Sequence, residues 1–412
     1  MQRIPVVIIG AGQAGLAMSH CLGRRGVAHV VLERGRVAER WRTERWDSLR
    51  LLTPNWMSRL PGWSYRGAAP DGFMPCRELV RHFEAYARST QAPVQSGVAV
   101  QALRRGPFGY RVETSAGAWE AEAVVVATGH CDRPAVPGWA QALPAAIRQV
   151  TPADYRNPAQ LPEGGVLVVG ASATGVQLAE EIQRSGRPVH LSVGRHTRLP
   201  RRHRGRDIWC WLDRSGLLDE PTTRHADLAR AQRQPSFQLV GRSYGGTIDL
   251  GTLQGAGVRL IGRAKGAEGS RVHLQDDLGA TIGAAQQALE RLLARLDLVA
   301  DAAGAPCEAG AARHIAVPAA PTTMDLEAEG IRSVVWATGY CRDYPWLQVP
   351  VLNHAGEIIH RGGVTPAPGL FALGLRFMRR RRSGFIDGVG RDAAELTEEI
   401  LDHLARPSRA AA

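Results

Sequence analysis

Residues 4–15 decide the fold: Ile4-Pro5-Val6-Val7-Ile8-Ile9-Gly10-Ala11-Gly12-Gln13-Ala14-Gly15. The apolar half predicts a buried parallel strand, and the G-x-G-x-x-G half predicts a sharp turn into a helix. The first glycine permits the turn, the second lets the backbone approach a pyrophosphate, and the third lets the helix pack close to the strand. Backbone N–H groups at the helix start then face an anion. The stretch predicts a dinucleotide site that includes Gly10, Gly12, Gln13, Ala14 and Gly15.

A carboxylate stands where such a site needs one. A second apolar run, residues 28–32, ends in Glu33, eighteen residues after Gly15. A carboxylate there can accept hydrogen bonds from a ribose 2′-hydroxyl, and an acid rather than a base argues against a 2′-phosphate. The first site is therefore predicted to take FAD or NAD. Further contacts are expected from Arg34, Trp41 and Arg42 and from the strand-end turn Ala127-Thr128-Gly129.

The opening pattern recurs in the middle of the chain. An apolar run at 166–169 leads into Gly170-Ala171-Ser172-Ala173-Thr174-Gly175, and the next strand, 189–193, leads into Gly194-Arg195-His196-Thr197-Arg198. An arginine in the place of the acid suits a 2′-phosphate through bidentate, charge-assisted bonds. The alternative is that both arginines are solvated on a loop. The second site is predicted to bind NADP(H) through Gly170, Ser172, Ala173, Thr174, Gly175, Arg195, Arg198 and the later turn Ala337, Thr338 and Gly339.

The predicted fold class is α/β, with two Rossmann-like domains and the NADP domain inserted in the FAD domain. We expect the FAD domain at 1–157 and 331–412. We expect the NADP domain at 158–330, with an unrecognised insertion at about 205–320. The proline-rich stretch 133–162 is interpreted as a linker. Other predicted elements are a helix at 77–90, a strand at 97–100, a hairpin at 110–126 and a last helix at about 392–404.

Composition limits the function classes. The 412 residues carry a formal charge of +12, yet Lys265 is the only lysine, so arginine supplies 50 of the 51 basic residues. A solvated basic surface explains this charge better than a specific nucleic-acid site, because no nucleic-acid motif accompanies it. No apolar run approaches the ~20 residues of a membrane helix. We expect a cytoplasmic protein without a membrane span, and its oligomeric state stays open.

The cysteines are scattered and form no C-x-x-C pair. They are Cys21, Cys76, Cys131, Cys210, Cys307 and Cys341. This spacing argues against structural zinc and against a redox-active disulfide, so reduced thiols and no metal site are expected.

Two dinucleotide units joined by Ala-Thr-Gly turns resemble the class B flavin-dependent monooxygenases. That family includes flavin-containing monooxygenases and the YUCCA-type indole-3-pyruvate monooxygenases. The second turn, residues 337–340, is similar to the family's A-T-G-Y element, and residues 170–175 are similar to its NADPH-site fingerprint. Residues 46–54 and the 369–374 segment are similar to YUCCA-type runs. The resemblance places Gly374, Asp387 and Gly388 at FAD, where the last helix begins.

Two departures from the family pattern stand near the expected flavin. The fingerprint F-x-G-x-x-x-H-x-x-x-Y falls on 145–155, where only Tyr155 is retained and Thr151 replaces the histidine. Leu52 stands at a position where relatives carry a polar group, and Thr53 and Asn55 are the nearby candidates for that role.

The resemblance implies a flavin-dependent NADPH oxidoreductase, most specifically a monooxygenase. It would oxygenate a small organic substrate with O2 through a flavin C4a-hydroperoxide, and no protein residue need be catalytic because the cofactor carries the chemistry. The departures keep open an NADPH oxidase or NADPH:acceptor oxidoreductase that inserts no oxygen. A non-catalytic, nucleotide-sensing protein is the alternative of another class.

Overall fold

A computed structural model describes residues 1–225, 227–242, 246–306, 315–317, 319 and 321–406. In chain order its strands are β1 Gln2–Ile9, β2 His29–Glu33, β3 Val94–Ser96, β4 Val100–Gly106, β5 Gly109–Thr114, β6 Gly117–Val126, β7 Arg133–Pro134, β8 Arg148–Val150, β9 Gly165–Val169, β10 Val189–Ser192, β11 Thr197–Arg198, β12 Arg202–His203, β13 Arg206–Asp207, β14 Phe237–Gln238, β15 Arg259–Ile261, β16 Ala264–Glu268, β17 Arg271–Leu274, β18 Thr323–Asp325, β19 Ile331–Trp336, β20 Tyr340–Cys341 and β21 Leu370–Ala372. Its α-helices are α1 Gln13–Arg24, α2 Glu39–Thr43, α3 Cys76–Ser89, α4 Ala173–Arg184, α5 Ile208–Arg214, α6 Leu228–Gln232, α7 Leu250–Gly255, α8 Leu278–Ala302 and α9 Ile386–Ala405.

The first sheet is built around β1. Its order is β3-β2-β1-β6-β5-β4, with β21 also paired to β6. Strand β1 runs parallel to β2 and β6, and its residues 6–9 are buried. Continuous apolar runs of this kind are typical of parallel strands covered on both faces. The carboxyl ends of β1, β2 and β6 therefore meet at one edge of the sheet, where the predicted first site lies.

The second sheet repeats this plan with its own core. Its order is β15-β10-β9-β19-β8, and every recorded pairing in it is parallel. All five residues of β9 are buried, and α4 follows β9 as α1 follows β1. The predicted α/β class with two Rossmann-like units is thus confirmed.

The sheet pairings differ from the domain limits expected from sequence. Strands β8 and β19 lie in the second sheet, although residues 148–150 and 331–336 were assigned to the FAD domain. The proline-rich stretch is therefore not only a linker. Between the sheets, β7 pairs with β20, and Ala135 N donates to the Gly339 carbonyl at 2.9 Å. We propose that the two domains divide at this two-stranded crossing.

Local elements follow the sequence closely, with two exceptions. The helix expected at 77–90 is α3, and the hairpin expected at 110–126 is β5 and β6. The predicted strand at 97–100 is wrong, because Gly97 adopts a left-handed φ of 74° and separates β3 from β4. The last helix begins earlier than expected, at Ile386, directly after the extended Phe385.

The insertion forms a small apolar core of its own. Trp209, Trp211 and Leu212 on α5 are buried against Leu289 and Leu296 of α8. These tryptophans and leucines are therefore core residues of the insertion. Strands β16, β17 and β18 form a separate antiparallel sheet. In the described part of the chain, no helix has the length and apolarity needed to cross a membrane.

Candidate functional site

Both glycine turns have the same geometry. Gly10 and Gly170 have φ values of 110° and 108°, which only glycine adopts readily. A Cβ on Gly10 would lie 2.7 Å from the Ala127 carbonyl oxygen, and one on Gly170 would lie 2.4 Å from that of Ala337. Each turn is therefore fitted against its own Ala-Thr-Gly segment, because a side chain would strike the neighbouring backbone.

The remaining glycines of the two fingerprints have separate tasks. A Cβ on Gly15 would lie 1.8 Å from the Gly10 carbonyl oxygen, and one on Gly175 would lie 1.7 Å from that of Gly170. These third glycines close their own turns. In contrast, a Cβ on Gly12 would meet nothing within 4 Å. The backbone at Gly12 is thus open on the side where a ligand would approach.

A cavity of about 380 Å³ lies at the carboxyl edge of the first sheet. It is lined by most of the residues predicted for FAD, namely Gly10, Gly12, Gln13, Ala14, Glu33, Arg34, Trp41, Ala127, Thr128, Gly129 and Gly374. Residues 130–133 and Trp346 also line it. The strand order brings these distant segments together because β1, β2 and β6 are neighbours.

Glu33 lies at the end of β2, beside the first turn. Its Oε2 accepts a hydrogen bond from Ala11 N at 2.8 Å, and its Oε1 accepts one from Gly35 N at 2.9 Å. The carboxylate is therefore fixed in orientation at the rim of the cavity. Its remaining lone pairs can accept hydrogen bonds from ligand hydroxyls.

Four predicted FAD residues do not line this cavity. Gly15 serves the turn itself, and Arg42 pairs with Glu84 at 2.7 Å. The Asp387 carboxylate, only 2% exposed, is paired with Arg59 and Arg382. A Cβ on Gly388 would lie 2.0 Å from the Arg382 carbonyl oxygen, so this glycine allows close packing at the start of α9.

Asn55 and Thr53, the polar candidates for the flavin site, do not line the first cavity. Asn55 is 4% exposed, its Nδ2 donates to the Ala69 carbonyl at 2.9 Å, and its Oδ1 accepts from Met74 N at 2.8 Å. The amide therefore links residues 55, 69 and 74 of this loop, and a contact between Asn55 and the flavin stays a prediction. Thr53 is partly buried and is not among the residues that line the cavity.

The two arginines predicted for NADP(H) have different surroundings. Arg195 is exposed and has no salt bridge to any residue in the described ranges. Arg198 is 3% exposed, and its Nη2 lies 2.8 Å from Oδ2 of Asp249 while its Nη1 donates to Gln286. The guanidinium of Arg198 is thus buried and already paired, which does not favour its predicted contact with NADP(H).

The other NADP(H) candidates lie around the second turn. Ser172 precedes the first residue of α4, and Ala173 and Thr174 form its first turn. The Thr338 hydroxyl donates to the Ala135 carbonyl at 2.6 Å, so this threonine contributes to the crossing between the domains. Gly339 follows it with a left-handed φ of 96°.

Comparison with known proteins identifies the family. The family described as pyridine nucleotide-disulphide oxidoreductase matches residues 7–212. The chain belongs to this family. An uncharacterized CzcO-like oxidoreductase of Geobacillus kaustophilus is 33% identical over 407 residues, which cover 98% of this chain and 100% of that protein.

Two further likenesses concern monooxygenases. Indole-3-pyruvate monooxygenase YUCCA1 of Oryza sativa subsp. japonica is 32% identical over 191 residues, 45% of this chain and 47% of that protein. A flavin-containing monooxygenase from Stenotrophomonas maltophilia has the same fold, with a TM-score of 0.68 at 18% identity over 98% of this chain and 100% of that one. The predicted resemblance and the cofactor pair, FAD and NADPH, are confirmed, and the chain is an oxidoreductase.

Cys131 is a cavity residue whose chemistry the sequence analysis missed. Burial raises the pKa of its thiol, but His130, Arg45 and Arg376 outweigh that effect and lower the pKa to about 7. Cations next to a thiol stabilise the thiolate. In the sequence, its place just after the Ala127-Thr128-Gly129 turn indicates a position at the cavity, whereas cysteine spacing indicates only paired thiols.

The other described cysteines, Cys21, Cys76, Cys210 and Cys341, are free thiols, as is Cys131, and Cys307 lies outside the described residues. The described residues also contain no group of three or more His, Cys, Asp or Glu side chains arranged to hold a metal.

The basic run Arg379–Arg382 forms a largely part-buried network of ion pairs. Arg379 pairs with Glu395, Arg380 with Asp392 and Arg381 with Glu220, each at 3.1 Å. Arg382 contacts three carboxylates: those of Asp213, Asp219 and Asp387. The run therefore joins α9 to the insertion, and its charge is compensated within the protein.

Proposed function

We propose that this protein is an FAD- and NADPH-dependent monooxygenase that transfers one oxygen atom from O2 to a small organic substrate. The observation that carries the proposal is the pair of matched glycine turns with different charges beside them. Glu33 stands at the first turn and exposed Arg195 follows the strand next to the second. This difference supports FAD at the first turn and NADPH at the second.

The first cavity fits the adenosine diphosphate part of FAD. The open backbone at Gly12 and the start of α1 would face the pyrophosphate, whose charge a helix N-terminus favours. Glu33 would accept hydrogen bonds from the ribose hydroxyls. At the second turn, the start of α4 would face the NADPH pyrophosphate, and Arg195 would bind the 2′-phosphate.

The balance of the proposed reaction is simple. Substrate, O2, NADPH and one proton give oxygenated substrate, NADP⁺ and water. Bound FAD would supply the redox chemistry, by taking a hydride from NADPH and passing electrons to O2. The residues of the chain bind both cofactors, fix their orientation and exclude water from the reacting atoms.

One alternative is favoured by a specific observation. The Asn55 amide is engaged at both its nitrogen and its oxygen by the protein backbone, and Leu52 is apolar. This arrangement favours NADPH oxidation without oxygen insertion, as in an oxidase or an NADPH:acceptor reductase.

The test measures NADPH consumption against peroxide release while small organic compounds are screened. A substrate of the proposed monooxygenase should consume NADPH and O2 in equal amounts, suppress peroxide and yield a product 16 Da heavier. Glu33→Gln enzyme should lose the activity in proportion to its flavin content. If every compound that stimulates NADPH oxidation leaves peroxide equimolar, or is reduced rather than oxygenated, the alternative replaces the proposal.

A further inference from the structure

A second cavity of about 730 Å³ lies beside the insertion and shares no lining residue with the first. It lies between the 71–73 segment, the β12–β13 hairpin with α5, and residues 303–306 after α8. Among the described residues, basic side chains outnumber acidic ones in the lining of this cavity. Six arginines line it, namely Arg201, Arg202, Arg204, Arg206, Arg214 and Arg242, against two carboxylates, Asp71 and Asp207.

The β12–β13 hairpin, which carries three of these six arginines, is held by several contacts. Arg204 adopts a left-handed φ of 47°, which is unfavourable for a residue with a side chain. Its guanidinium donates to the carbonyls of Ala305 at 2.8 Å and Pro306 at 3.0 Å, and it pairs with Asp301. Such backbone strain persists only where the surrounding contacts enforce it. The wall of the cavity is therefore preorganised.

Arg201 forms part of the buried base of the cavity and has its own partners. Its Nη2 lies 2.7 Å from Oδ1 of Asp207, and its guanidinium lies 4.5 Å from the centre of the Phe73 ring. Arg242 likewise pairs with Glu180. These arginines are compensated by the protein, as are those of the 379–382 run.

Three other arginines of the same cavity lack the carboxylate partners that Arg201 and Arg242 have among the described residues. Arg202, Arg206 and Arg214 are exposed, and no carboxylate in the described part of the chain lies within 4.0 Å of them. Arg214 lies over the Trp211 ring, 5.7 Å from its centre. Arg206 and Arg214 line the cavity together with Cys210. Burial, Asp207 and Asp71 raise the pKa of the Cys210 thiol, whereas the two arginines oppose that shift.

We propose that this arginine pocket binds a small molecule that carries a di- or triphosphate group. Guanidinium groups bind phosphate oxygens in bidentate fashion. Three positive charges on one concave surface repel each other, and a compact polyanion between them replaces this repulsion with attraction. The volume falls within the roughly 300–1,000 Å³ of small-molecule sites. The pocket is separate from both glycine turns, so it is a third anion site rather than part of either dinucleotide site.

The probe is inorganic tripolyphosphate, added to the full chain already saturated with FAD and NADP⁺. Cys210 reports occupancy, because it lines the pocket and a bound anion would block iodoacetamide. Its raised pKa requires that the alkylation be run under alkaline conditions, at a pH where Cys210 of the protein without probe reacts measurably. We expect tripolyphosphate to slow alkylation of Cys210 saturably and severalfold, while exposed Cys341 reacts unchanged. The double variant R206Q/R214Q should require about tenfold or more tripolyphosphate for the same protection. Arg148→Gln, an exposed arginine elsewhere, is the matched control.

Retained flavin and an unchanged melting temperature without probe show that each variant is folded, and Arg202→Gln provides a second variant. The proposal is overturned if wild type and double variant are protected equally, or if sodium chloride of equal ionic strength protects as well. Equal protection by citrate would overturn the phosphate assignment. No protection at millimolar tripolyphosphate would overturn the site itself.

Discussion

At the scale of single residues, the arginines decide how the second turn is interpreted. Arg195 and Arg198 stand three positions apart, yet one is exposed and the other is buried against Asp249. A sequence pattern assigns the same charge to both. We propose that only the exposed guanidinium binds a 2′-phosphate, because the buried one would leave Asp249 without its partner.

This difference makes a matched pair of variants informative. Arg195→Ala should raise KM for NADPH about tenfold and leave KM for NADH unchanged, because it removes one charge-assisted pair. Arg198→Ala should instead lower stability by about 3–5 kcal/mol, because it leaves a buried carboxylate unpaired. Steady-state kinetics with both nucleotides and thermal denaturation measure the two effects. A selective NADPH defect in Arg198→Ala would contradict the assignment.

Cys131 gives a prediction about pH. Its pKa is lowered to about 7, whereas burial raises the pKa of Cys76 to about 11. Only the thiolate reacts with iodoacetamide, so alkylation of Cys131 should rise with pH through a midpoint near 7, and Cys76 should stay unreactive at pH 9. Mass spectrometry of flavin-free protein follows both sites. A Cys131 midpoint at the ordinary thiol value would remove the proposed influence of His130 and the arginines.

At the scale of elements, the strand–turn–helix unit is used twice. In both copies the first glycine fits against an alanine carbonyl of the neighbouring strand-end turn, and the third fits against the first. The glycine between them in the first copy has no such neighbour. Structural and binding roles are therefore divided among residues of one short motif.

Two alanine variants separate these roles. Gly12→Ala should fold normally, because Gly12 has an ordinary φ of −85° and a Cβ there meets no protein atom. It should nevertheless weaken FAD binding about tenfold or more, because the methyl group would occupy the path of the pyrophosphate. Gly15→Ala should destabilise the fold by about 1–3 kcal/mol or more, since its Cβ would overlap backbone.

Flavin fluorescence titration and thermal melts of flavin-free protein distinguish the pair. Wild-type flavin affinity in Gly12→Ala would show that the open backbone is not where the cofactor binds.

At the scale of the whole molecule, hydrogen bonds and ion pairs between residues far apart in the sequence connect the insertion to the rest of the protein. Arg201 Nη1 and Trp209 Nε1 both donate to the Leu52 carbonyl, at 2.8 and 2.9 Å, so the 46–55 loop is fastened to the insertion. Arg382 connects the insertion to the start of α9. The run of four arginines therefore serves assembly within the chain.

Arg382 and Arg391 share the carboxylate of Asp219 but differ in burial. Arg382→Met should cost about 3–5 kcal/mol, because it leaves the buried Asp387 carboxylate with only Arg59. Arg391→Met should cost less than about 1 kcal/mol, because its side chain is 58% exposed. Urea denaturation of both variants measures the difference. Equal decreases in the free energy of unfolding would show that burial does not determine how much each ion pair of this network stabilises the fold.

Features that depend on only a few neighbouring residues could be predicted from the sequence alone. Glycine turns, apolar strands, the α3 periodicity and Glu33 at the end of β2 follow from backbone conformation and side-chain spacing. They suffice for the fold class and for the prediction of a first dinucleotide site. Tertiary structure alone decided that Arg198 is buried, that Asn55 braces a loop, that β19 joins the second sheet and that Cys131 meets cations. These outcomes depend on partners far apart in the chain, such as Asp249 for Arg198 and Arg376 for Cys131. Whether a residue is buried, and whether its charge is compensated, depends on the residues that pack against it. The spacing of neighbouring residues in the sequence does not show which distant residues those are.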